Sequence, residues 1–263
     1  MKDYLQYYLK SNLLGIKRIA YFSKSFILEI CADIINIIFA LLFYQILYLN
    51  VGKGLGIPIS DLFILVLSVK LTGDLYNLFF GAGVQSLPYH IQYGTLDGLL
   101  IKPFNIFFLM YLSKLNWKCL ANLIIDIFLF MILITKYTID ISLVSVLSYL
   151  AMICFATLIF TAFNILIYLG SIIFVRLDAF VSLISSFFSL STFPAAIFRN
   201  RILRWVFTYL IPVIVIGNFP LMAIRGEQKG SLFLIVIIIT LLFSYLAYWG
   251  TISMLKHYKS ASS

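Results

Sequence analysis

The sequence predicts an all-α polytopic membrane protein with six transmembrane helices, and three observations predict it. Of 263 residues, 63% are hydrophobic and 11% charged, with a mean hydropathy of +1.06, far more apolar than one soluble core requires. The apolar runs are long and continuous. They do not alternate in ten-residue segments as the strands of an outer-membrane barrel do, so they read as helices. At about 20 apolar residues per crossing of a hydrocarbon core ~30 Å thick, the length holds roughly six or seven crossings joined by short loops. A separate soluble domain does not fit, and the whole chain, 1–263, reads as one membrane domain.

Residues 1–25 carry Lys2, Lys10, Lys17, Arg18 and Lys24 against Asp3, with Leu5, Tyr8, Leu9, Leu13 and Ile16 at near-helical spacing. That pattern predicts an amphipathic helix lying on a membrane surface. Its positive charges place the N-terminus in the cytoplasm. Charge is spaced through the segment and no compact apolar stretch ends at small residues, so a cleavable signal peptide is not expected.

The first span is 26–49, and "NVGKGLGIPI" makes a glycine-rich turn before a second span at 61–83. An inner loop with Lys102, Lys114 and Lys118 follows. Spans at 117–135 and 142–170 are joined by "KYTID", and Arg176 and Asp178 mark the next inner turn before a fifth span at 179–197. The last span is 231–255. Between the last two, 202–224 supports two topologies. A full crossing there makes seven spans and puts the C-terminus, with Lys256 and Lys259, outside. A re-entrant pair entering and leaving on the outer face makes six, with both termini inside. Pro212 and Pro220 break the run and Pro194 precedes it, which favours the re-entrant hairpin. That choice puts Arg199, Arg201 and Arg204 outside, against the positive-inside trend.

Several function classes fall away. The net charge of +9 comes from residues scattered at helix ends, not from one basic patch with stacking aromatics, so a nucleic-acid partner is not expected. With His90 and His257 the only histidines, an H-E-x-x-H metal site is impossible. Cys31, Cys119 and Cys154 make no C-x-x-C pair and read as small apolar residues. No G-x-x-x-x-G-K-[ST] is present, so the chain does not bind ATP by a P-loop. No internal repeat of the kind built into many secondary transporters is visible.

Charges inside the spans are costly and therefore informative. Lys70 and Asp74 lie four apart on one face of the second span. Glu29 and Asp33 repeat that spacing in the first span with like charges, which need water or a basic partner, and Asp126 sits in the middle of the third. Three readings remain open: a polar lining along a substrate path or a charge-compensated seam between helices; structural pairing, for example of Lys70 with Asp74 or with Asp126 across helices; and a proton relay.

"YHIQYGTLDGLLIKPFN", Tyr89 to Asn105, interrupts the apolar sequence. It reads as a turn at Gly94, a short helix capped by Thr95 with Asp97 in its first turn, and a stop at Pro103. Leu96, Leu99 and Leu100 share one face. Such a helix serves either a lipid surface or a groove in a soluble partner, and the internal acid with its glycine and proline limits suits the protein contact.

This stretch resembles the inner-loop motif "G-x-[LI]-D-x-x-L-[LIV]-[KR]-P-x-N" of bacterial ABC-2 type permeases, transmembrane subunits of exporters of the type V fold. Gly94, Leu96, Asp97, Leu100, Ile101, Lys102, Pro103 and Asn105 match it. "FP" at Phe193 and Pro194, "YLIP" at Tyr209 to Pro212 and "NFP" at Asn218 to Pro220 resemble the family's spacing before its last span. The resemblance implies six helices, both termini cytoplasmic in a bacterial plasma membrane, an outer re-entrant hairpin, and a pore formed with a second permease chain, identical or homologous. It also implies that 94–105 is a coupling helix docking on a separate cytoplasmic ATPase. ATP would bind that subunit, and this chain would need no cofactor and catalyse nothing. The implied function is ATP-driven export, with the many aromatic residues suiting an amphipathic or hydrophobic cargo such as a peptide, drug or lipid-linked molecule. A proton-coupled secondary transporter using Asp126 or Glu29, and a membrane scaffold that transports nothing, are the competing readings.

Overall fold

The computed structural model describes residues 2–21, 23–52, 57–137, 142–170, 182, 185–186, 188–227 and 230–258. All regular elements among them are helical. Besides short helical turns, they include in chain order α1 (Lys2–Tyr21), α2 (Ser23–Leu47), α3 (Ile59–Tyr76), α4 (Asp97–Leu100), α5 (Cys119–Lys136), α6 (Leu143–Leu169), α7 (Arg201–Trp205), α8 (Val213–Ile224) and α9 (Gly230–His257). Five helical runs among the described residues are long and apolar enough to cross a membrane, and a sixth is reached if the bent pair Arg201–Leu210 and Val213–Ile224 counts as one span.

The centre of the bundle is α3, with α6 and α8 packed on it and α9 against α6. In the most apolar window of each span, 67% of the residues of the second are buried by the protein but only 6% of those of the first. Leucine and isoleucine periodicity is alike in both, because lipid accepts the same side chains that a core does. The structure therefore separates a central helix from a peripheral one that hydropathy cannot distinguish.

The sequence reading ends the second span at Gly83, but the helical path runs on. A π-helical turn at Asn77–Gly81 leads into short helices Ala82–Gln85 and Leu87–Gln92. Val84 and Leu87 are fully buried there, which keeps the chain in the bundle despite Pro88. Pro88 is tolerated because it lies in the first turn of its helix. Gly83 allows the close crossing: a Cβ there would come within 2.1 Å of the Met110 carbonyl oxygen and 2.8 Å of the Tyr111 Cα. Backbone cannot move aside as a flexible side chain can, so α3's extension and the turn Phe108–Leu112 are locked together.

Most of the expected fifth span, 179–197, falls outside the described residues. Its described end is not a continuous helix: 3-10 turns at Leu190–Thr192 and Ala195–Ile197 flank extended backbone at Phe193 and Pro194. Asn218 explains why this irregular segment is stable inside an apolar bundle. Its side-chain oxygen accepts from the Ala195 N–H (2.7 Å) and its amide donates to the Phe193 carbonyl (3.2 Å). Asn218 is buried, so the pair of bonds satisfies two backbone groups that the 3-10 turns leave over. The helical pair Arg201–Leu210 and Val213–Ile224 bends by 90° between Leu210 and Val213. Its second arm, α8, is buried along almost its whole length, while Ile202, Trp205 and Leu210 on the first arm are exposed.

Contacts define two ends of the bundle. At one, Arg225 after α8 donates through Nε to Asp61 at the start of α3 (2.7 Å) and through a terminal nitrogen to Ser60 (2.6 Å). At the other, α1, the 94–105 loop and the C-terminal end of α9 come together.

Asn218→Ala should lower the apparent unfolding temperature of the detergent-solubilised chain, because each orphaned buried backbone group costs about 1–3 kcal/mol. Asn218→Asp keeps the acceptor for Ala195 and should fall in between. An Ala variant as stable as wild type would contradict the clamp.

Candidate functional site

Two places concentrate polar chemistry. The first is the loop 94–105. Gly94 adopts φ +65°, the left-handed region that a turn here demands and that glycine enters without strain. The expected cap at Thr95 does not form; its hydroxyl shares a 2.8 Å hydrogen bond with His90 Nδ1 instead, and α4 starts without a side-chain cap. The three leucines do not share one surface. Leu96 is 0% exposed and belongs to the main core, Leu99 packs against that core, and Leu100 is 47% exposed. The outward apolar pair is Leu100 with Ile101, which is 84% exposed. After Pro103, Asn105 caps the next helical turn by accepting from the Phe107 N–H (2.9 Å).

Helix α1 clasps this loop through a face that the leucine pattern does not reveal. Lys102 donates to the Tyr7 hydroxyl (3.1 Å) and lies 5.3 Å from that ring's centre, and the Asn105 N–H donates to the Tyr4 hydroxyl (2.9 Å). The Tyr4 ring meets Phe104 and Phe108 edge-on at 4.9 and 5.2 Å. Further along, Ser11 donates to the Ser113 carbonyl, and Asn12 accepts from the Leu115 N–H (2.8 Å). Leu5, Leu9, Leu13 and Ile16 point away and stay exposed. Tyr258, just beyond α9, also meets the loop, at Asp97. Burial first, then the adjacent Asp97 carboxylate, raise its pKa above that of an ordinary phenol, so it remains neutral.

The second place lies among α2, α3 and α5. The Lys70 ammonium lies 2.9 Å from Asp33, 3.1 Å from Asp74 and 3.8 Å from Asp126. Asp126, which the sequence leaves alone mid-span, is thus brought to the lysine across helices. Asp33 finds in Lys70 the basic partner its spacing with Glu29 calls for, and Glu29 finds its own in Lys118 at 2.7 Å. Asp126 is 0% exposed and neither of its oxygens has a hydrogen bond; Asp33 Oδ2 is likewise buried and unbonded. One oxygen from each of the three aspartates lies within 4.8 Å of the others. One helical turn from this cluster, Glu29, Lys118, Cys119 and Asn122 line a cavity of about 210 Å³ with Phe26 and Ile30.

With this geometry in view, a family model described as "ABC-2 family transporter protein" matches residues 34–262. The chain belongs to the ABC-2 transporter family. Comparison with curated proteins and with solved structures finds no match. An ABC-2 permease is the membrane component of an ABC transporter, and the matched region takes in α3, the 94–105 loop, the bent pair α7–α8 and α9. All of α1, with the tyrosines that hold the loop, lies before the matched region.

Lys70→Met should destabilise this permease by about 3–5 kcal/mol, the usual cost of stranding buried charges. Adding Asp126→Asn to that variant should recover part of the loss, while Asp126→Asn alone should be tolerated, because it removes a surplus negative charge. Melting of the detergent-solubilised variants checks the order, and a Lys70→Met chain as stable as wild type would show that the ion cluster does not hold the helices.

Proposed function

We propose that this ABC-2 permease is an export subunit of a bacterial plasma-membrane ABC transporter, with both termini cytoplasmic and 94–105 docking on a separate ABC ATPase. The observation that carries the reading is the way the loop is held. Its outward surface is small and apolar, Leu100 with Ile101, yet both α1 and Tyr258 hold it. A loop that only lay on lipid would need no such grip. A partner that pushes on it would move α1, α9 and, through the Gly83 crossing, the extension of α3 as one body. ATP would bind the partner subunit, and this chain would take no cofactor of its own.

A second permease chain, identical or homologous, would pack on α2. Along that helix Ile34, Ile35, Ile38, Phe39, Leu42, Phe43 and Ile46 are exposed, and lipid or a second chain can cover them. ATP-driven closure of the ATPase pair would then shift the two halves between inward- and outward-open arrangements. The permease's own part is to bind cargo with unequal affinity in the two. The aromatic-rich surface suits an amphipathic cargo.

One observation favours a second reading. Asp126 is buried with both oxygens unbonded, which is what a proton-coupled transporter needs.

A pull-down of the solubilised chain from its own cells should recover an ABC ATPase with wild type and lose it with an Asp97→Lys, Leu100→Ala double variant of equal membrane yield. An ATPase recovered with neither chain, together with transport that collapses with the proton gradient at constant ATP, would establish the second reading instead.

A further inference from the structure

The first arm of the bent pair carries positive charge that no carboxylate among the described residues answers. Arg199, Arg201 and Arg204 follow one another closely, and no Asp or Glu occurs between Asp178 and Glu227. All three side chains are exposed. Among the described residues none of them makes an ion pair, and the arginine that does, Arg225, is tied to Asp61. Arg204 donates to a neutral group, the Ala195 carbonyl (3.0 Å). Three unanswered guanidinium groups on the outer side run against the positive-inside trend and call for a local anion.

The same arm exposes apolar and aromatic groups. Ile202, Trp205 and Leu210 are exposed, and the Trp205 and Tyr209 rings lie 5.8 Å apart. The arm is held in place from beneath: Asn200 caps its start by accepting from the Ile202 N–H (2.8 Å), and the buried Phe207 meets Phe198 at 5.2 Å. Its outward side is therefore a fixed face on which arginine, indole and phenol stand together. That is the composition of a helix lying in a membrane interface.

The depth of the arm suits that interface. Ala195, which Arg204 bonds, is itself held by Asn218, about two helical turns before Arg225 at the Asp61 end of the bundle. The path Ile59–Gln92 that starts at this end has 34 residues, ~50 Å at ~1.5 Å each, against a hydrocarbon core of ~30 Å. The bundle thus overhangs the core, and a surface ~10 Å in from its Asp61 end lies near the lipid headgroups.

Three occupants come into question. A soluble anion would satisfy the arginines and leave Ile202 and Trp205 in water. A second copy of the chain, meeting this face about a two-fold axis, would set arginines against arginines. Anionic phospholipid answers both halves of the face, since guanidinium groups bond phosphate oxygens in pairs and Trp and Tyr rings rest at the acyl boundary. We propose that the arm from Arg199 to Leu210 is a docking surface for anionic phospholipid, with the three guanidinium groups on the headgroup phosphates and the Trp205–Tyr209 face against the upper acyl chains. The export reading enters only in naming the leaflet as the outer one. The test uses neither ATPase nor cargo, so its failure and the failure of the pull-down are separate results.

Trp205 sits on the face and reports on it. In the full chain with Trp117→Phe and Trp249→Phe it is the remaining tryptophan, and its fluorescence is followed in phosphatidylcholine nanodiscs doped with acyl-brominated phosphatidylglycerol or acyl-brominated phosphatidylcholine. One arginine near an anionic surface favours it about fivefold, so half-quenching should need at least about fivefold less of the brominated phosphatidylglycerol. With Arg199→Gln, Arg201→Gln and Arg204→Gln added, the two lipids should quench alike. If the two phenylalanines unfold the chain, the phospholipid retained after delipidation by otherwise unaltered chains, with and without the three glutamines, decides the matter: phosphatidylglycerol should exceed phosphatidylcholine in the first and lose that excess in the second. Equal quenching by the two lipids before the arginines are replaced, or a preference that survives their replacement, would overturn the proposal. So would a preference abolished by millimolar inorganic phosphate, which would mark a site for the free anion, and so would no quenching by either lipid, which would mean that protein covers the arm.

Discussion

A lysine ammonium held between carboxylates from three helices sets the terms for the rest of this bundle. In lipid, apolar contact between helices gains little over contact with acyl chains, so packing detail and polar contacts decide which helices stay together. Lys70 on α3 reaches Asp33 on α2 and Asp126 on α5, and α2 is otherwise the least buried of the spans. Without that contact, α2 would have few specific reasons to sit where it does. The same low-dielectric surroundings that strengthen the attraction make the surplus carboxylates costly. The cluster therefore fixes position while holding more carboxylates than ammonium groups among the packed helices.

The two ends of the bundle are built on different principles. At the Asp61 end, Arg225 bonds Asp61 and Ser60, so the outlet of the hairpin is tied to the inlet of the central helix. At the other, tyrosine hydroxyls and rings on α1 hold the backbone and lysine of the 94–105 loop, and Tyr258 meets Asp97. The loop's burial of Leu96 and the backbone-to-backbone crossing at Gly83 carry any displacement into α3, the helix that bears Lys70 and Asp74. A mechanical link from the loop to the charge cluster thus runs through one helical path, Ile59 to Gln92.

Much of this was legible in the sequence because hydropathy reports the existence of spans well. α6 lies within the run read as 142–170, and of the two prolines read as breaking 202–224, Pro212 stands at the 90° bend whereas Pro220 lies inside α8 and does not break it. What hydropathy cannot report is which face of a helix meets protein. The leucines of α1, read as the side turned to a membrane surface, are exposed, but nothing in their spacing shows that Tyr4, Tyr7 and Asn12 make the protein contacts. In a membrane-facing helix the apolar side turns outward, which reverses the rule learned from soluble proteins. Leu96 was unreadable for the same reason: spacing placed it beside Leu99 and Leu100, but only the packing of α3's extension shows that it points into the core. The cap at Thr95 lost to a competitor, His90, brought close by a turn whose geometry local sequence does not specify. The pairing of Lys70 with Asp126 joins residues on different helices, a choice the sequence narrows but cannot make.

The most direct test of the central claim, that the clasped loop is where a partner ATPase engages, is a photo-cross-linking amino acid placed at Ile101 and activated in intact cells. That side chain is 84% exposed, so it reports what covers the loop and not what packs beneath it. The account predicts a cross-linked product containing this permease and an ABC ATPase subunit, lost when Asp97 is replaced by lysine in the same chain. Cross-links to lipid or to the permease alone, in cells making the full transporter, would contradict it.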